Sequence, residues 1–174
     1  MKVLHLLVEP AGSNNNRVAD DEDCSVKSAR KAADCVADNA EYEARDAANI
    51  GWLHEAFTHA RQRGARGVVT VFQADPGFDL PETEVDETQS PLYTGYRRFM
   101  DALVAEAQAS PGQVLLVHGD MHFYKVDMPI YVQRKQLTNL TRIETFGSPS
   151  LHWVKVTVDP ADPRLFDIEP VIVY

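Results

Sequence analysis

Two short β-branched, apolar runs separated by a helical pattern constrain this chain more than any other feature in it. Gly67-Val68-Val69-Thr70-Val71-Phe72-Gln73 and Gln113-Val114-Leu115-Leu116-Val117-His118 have the composition of strands buried on both faces. Between them Tyr93, Tyr96, Phe99, Met100, Leu103 and Ala107 recur at helical spacing, opened by Ser90-Pro91 and closed by Ser110-Pro111-Gly112. A strand, helix, strand unit closes by a right-handed crossover and pairs its strands in parallel. The expected fold class is therefore α/β, with a mixed β-sheet and helices on one face.

The flanking segments fit that frame. Val3-Leu4-His5-Leu6-Leu7-Val8 reads as a first strand buried on both faces, with His5 a core histidine, and stops at Pro10-Ala11-Gly12. From Gly12 to about residue 38 turn formers and acids dominate, which predicts irregular chain. Asp38 and Glu41 are spaced like a capping pair, and Ala47, Ile50, Leu53, Phe57 and Ala60 then mark one helical face up to Gly64. Between Asp75 and Ser90 lie six acids and no base, the pattern of a solvated loop. Arg142 to Phe146, His152 to Val158 and Phe166 to Val173 read as an antiparallel meander. A length of 174 residues suits a single domain over 1–174.

Charge and composition exclude several function classes. Seventeen basic against twenty-six acidic residues give a net charge of −9, so the molecule repels nucleic-acid backbones and anionic lipid. No apolar run approaches a membrane span, and Met1 to Pro10 is too short and too soon charged for a signal peptide. Cys24 and Cys35 stand eleven positions apart, where a disulfide is geometrically open but equally well absent.

In open α/β sheets ligands gather beyond the carboxyl ends of the strands, and here two strands deliver Gln73-Ala74-Asp75-Pro76 and His118-Gly119-Asp120-Met121-His122 to the same edge. Gly119 is expected to turn the chain sharply, so that Asp120 and His122 aim at one point, as ligands of a divalent cation must. A capped turn and a surface hydrogen bond account for the same two residues. Asn14, Asn15 and Asn16 could offer amide oxygens to an ion or substrate, or simply form a turn. Lys125 and Arg142 are expected to be solvated bases, although either could attract a phosphate. No Gly-rich phosphate loop and no Gly-x-Ser-x-Gly elbow is present.

Gly119-Asp120-Met121-His122 resembles the Gly-His-x-His motif that closes the calcineurin-like metallophosphoesterases, with Asp120 where the first His is usual. The likeness to a bacterial branch of that superfamily extends through Gly12 to Asn16, Glu43 to Leu53, Phe72 to Pro76 and Arg142 to Val154. It implies half of an α/β/β/α sandwich, the C-terminal half, because the family's earlier Asp-x-His, Gly-Asp and Gly-Asn-His motifs have no counterpart. The resemblance places Asp120, His122 and Gln73 as ligands of a divalent metal (manganese, iron or zinc) and puts Asn14, Asn15 and His118 near a small phosphoester substrate. Gln73 stands where the family has a His.

Hydrolysis on two metals about 3.5–4 Å apart requires a bridging carboxylate and several donors per ion. Three residues of this kind hold one ion weakly, so the expectation is a degenerate phosphoesterase with little activity alone. The alternative is a non-catalytic binding or assembly protein that keeps half of the fold. Half a sandwich exposes an apolar face, which predicts a homo-oligomer.

Overall fold

The computed structural model describes residues 2–10, 12–18, 32–78 and 94–174. Val3–Leu7 (β1), Gly67–Val71 (β2), Gln113–His118 (β3), Lys125–Asp127 (β4) and Leu140–Glu144 (β7) form one sheet in the order β1-β2-β3-β7-β4. The first four strands of that order are parallel and β4 is antiparallel to β7. Tyr131–Val132 (β5) and Lys135–Gln136 (β6) make a small hairpin between β4 and β7. The α/β class read from the sequence is the observed one: a mixed sheet with two helices, Ala32–Gln62 (α1) and Arg97–Ala109 (α2).

The period of two along each strand divides the side chains between two layers. Leu6, Val68, Val114, Leu116 and Leu140 face the helices and meet Leu53, Phe57 and Ala60 of α1 and Phe99, Met100 and Leu103 of α2. On the opposite face Val69, Leu115 and Ile143 meet Val154, Phe166 and Ile168 from a separate hairpin, Trp153–Val158 (β8) and Phe166–Val171 (β9).

Several expectations are corrected. The strand at Arg142 is not the start of a meander: β7 inserts in parallel between β3 and β4, and only β8 and β9 pair as a hairpin. β-branched composition reports burial but not strand direction. Among the described residues β1 pairs with β2 alone, at the edge of the sheet, and His5 and Leu7 on it are exposed while Leu6 is buried. α1 already runs at Ala32, and Asp38 and Glu41 lie inside it. Glu41 is engaged by Arg45 one turn on, at 2.7 Å, instead of closing a cap. Ala47 is exposed, whereas Tyr42, Asp46 and Asn49 are buried. Asp75 to Phe78 is buried rather than a solvated loop. Ser90, Pro91 and Tyr93 lie outside the described residues. Cys35 is disulfide-bonded, and Cys24 lies outside the described residues.

Among the described residues no helix is long and apolar enough to cross a membrane.

Candidate functional site at the strand ends

Parallel pairing of β2 with β3 brings Gln73 and Asp120 together, one just beyond each strand. The Gly119 amide donates to the Gln73 carbonyl at 3.0 Å, extending the ladder past the last strand residue. Gln73 Nε2 then donates to Asp120 Oδ1 at 3.1 Å, and the Asp75 amide reaches Asp120 Oδ2 at 3.5 Å. Gln73 and Asp120 are both exposed, so this amide–carboxylate pair faces solvent at the carboxyl edge of the sheet.

The sharp turn that Gly119 was expected to make is carried instead by its neighbours: Asp120 has φ 87° and His122 φ 68°. Asp and His both enter the left-handed region more readily than most side chains. The second turn sends His122 away from the Gln73 amide. Its Nδ1 donates to the Ser148 carbonyl at 2.8 Å, and its Cγ–Cδ2 bond lies where a Cβ on Gly147 would sit. Gly147 is the residue that makes room for that ring.

The other three predicted residues are spent on internal contacts. His118 is buried, stacked on Phe72 at 6.2 Å between ring centres, with Nδ1 at 3.0 Å from the Gly119 carbonyl and Nε2 at 3.5 Å from Arg142 Nη1. Asn14, Asn15 and Asn16 all take left-handed φ values between 51° and 55°. Asn14 Oδ1 accepts the Gly95 amide at 2.7 Å. Asn15, fully buried, donates to the Gly95 carbonyl at 2.9 Å and to Asp46 at 3.4 Å, and receives Arg45 at 2.6 Å. Asn14 and Asn15 thus fasten the loop after β1 to α1 and to the approach of α2.

Tyr96 lies beside this loop and donates its hydroxyl to the Gly12 carbonyl. Burial pushes its phenol above the usual range, and the carboxylates of Asp120 and Asp75 add to that effect. Asp75 uses Oδ1 to cap the Gly77 and Phe78 amides at 3.0 and 3.1 Å, while Oδ2 is buried without a hydrogen bond.

Arg142, expected to be solvated, is fully buried. It forms a bidentate pair with Asp127 at 2.7 and 2.5 Å and lies 5.0 Å below the Phe78 ring. The sequence carried no signal for this. An Arg in a strand two residues before a Glu reads as amphipathic; the register of β4 on β7 pairs Asp127 with Arg142 and supplies the bidentate counter-charge, with Glu144 Oε2 a further 3.9 Å contact.

Two metal ions need more donors than the site provides. Gln73 presents an N–H to Asp120, both oxygens of Asp120 already accept, and His122 is anchored elsewhere. Among the described residues no three or more His, Cys, Asp and Glu side chains group in a way that would hold a metal ion. The donor set does not fit a two-metal hydrolytic centre. Compared with protein-family models and with curated proteins, the chain matches none.

Proposed function

We propose that this chain is a metallophosphoesterase-like module whose strand-end centre is degenerate, with little or no phosphoester hydrolysis of its own. The observation that carries the reading is the hydrogen bond from Gln73 to Asp120. It joins the carboxyl ends of two parallel strands, where an α/β sheet collects its ligand, yet it fills with an amide–carboxylate pair the place where the family resemblance calls for two imidazoles. Asp120 keeps carboxylate lone pairs toward solvent, enough for one weakly held divalent cation and a small phosphoester beside it.

The test is turnover of an aryl phosphate and an aryl phosphodiester in manganese, iron or zinc, together with elemental analysis of gently purified protein. Background-level turnover is expected. Hydrolysis well above background that Asp120→Ala abolishes would overturn the proposal.

A second reading, assembly, is favoured by the open edge of the sheet. Among the described residues β1 pairs with β2 alone, and Leu7 on it is 74% exposed. An unpaired edge strand with an apolar side chain is a template for association. Light scattering is expected to give a dimer or larger species at micromolar concentration, and a clean monomer would count against this reading.

A further inference from the structure

We draw no further inference here: the strongest candidate, the exposed stripe of small residues that Ala33, Ala37, Ala40, Ala44, Ala47 and Gly51 lay along the outer face of α1, has no second feature pointing to a partner, and nothing in the structure shows what covers it.

Discussion

Gln73 and Asp120 are forty-seven residues apart in sequence and 3.1 Å apart in space, donor to acceptor, each two residues beyond the end of its strand. The amide holds the carboxylate at the carboxyl edge of the sheet. Replacing both residues by histidine, Gln73→His with Asp120→His, puts two imidazole nitrogen donors at the strand ends. Zinc or manganese affinity by titration calorimetry is expected to rise by about tenfold or more, the scale on which changes around a metal act. Unchanged affinity in a folded double variant would show that the strand ends do not converge on a cation.

Asn15 is a fixed point of the fold rather than a substrate contact. Its amide serves Gly95, Asp46 and Arg45 while fully buried. Asn15→Ala removes all three partners and adds strain at a φ of 55°. A loss of about 3 kcal/mol in urea unfolding is expected, since buried groups left unpaired cost 1–3 kcal/mol each and the effects overlap. A loss under about 1 kcal/mol would show that the loop does not depend on it.

Arg142 closes the sheet on the helix side by its bidentate pair with Asp127. Arg142→Ala leaves a cavity and takes the bidentate partner from Asp127, which is one-third exposed and keeps Lys125 Nζ at 3.7 Å. The expected cost is about 3 kcal/mol, the low end for breaking a buried pair because Asp127 can rehydrate. Arg142→Lys is expected to recover only part of it, since an ammonium cannot make the fork. Full recovery with Lys, measured by thermal unfolding, would contradict the geometry.

Glu106 joins the two helices by accepting from Arg61 at 2.5 Å and from His54 at 2.6 Å. Burial acts to raise its carboxyl, but the hydrogen bonds from Arg61 and His54 outweigh it and hold the group below the usual range. Its folded value thus lies below its unfolded value. The contribution to stability is complete above the ordinary glutamate range near 4.3 and is lost as pH falls through the lower folded value. Glu106→Gln is expected to flatten the acid side of the stability–pH curve and to cost about 1 kcal/mol at neutral pH. An unchanged acid slope would mean that Glu106 is not bound as described.

Much of the sheet was legible because its signals are local. β2, α2 and β3 carry their own period and punctuation, and the α/β class follows from their order. The long N-terminal part of α1 was not legible, because Tyr42, Asp46 and Asn49 turn a mixed polar face inward onto the Asn loop. No hydrophobic period marks such a face. β7 reads as a strand from its composition, but its place between β3 and β4 depends on a crossover that composition does not encode.

At the site, the sequence determined which chemical groups reach the carboxyl edge: an amide, carboxylates and imidazoles, carried there by two strands. Tertiary structure decided which of them meet. Backbone dihedrals at Asp120 and His122 sent one side chain to Gln73 and the other to Ser148, and the register of β4 on β7 buried an arginine that looked solvated. Residue spacing fixes how far apart groups can be, whereas the direction each one faces depends on turns and registers held by distant contacts.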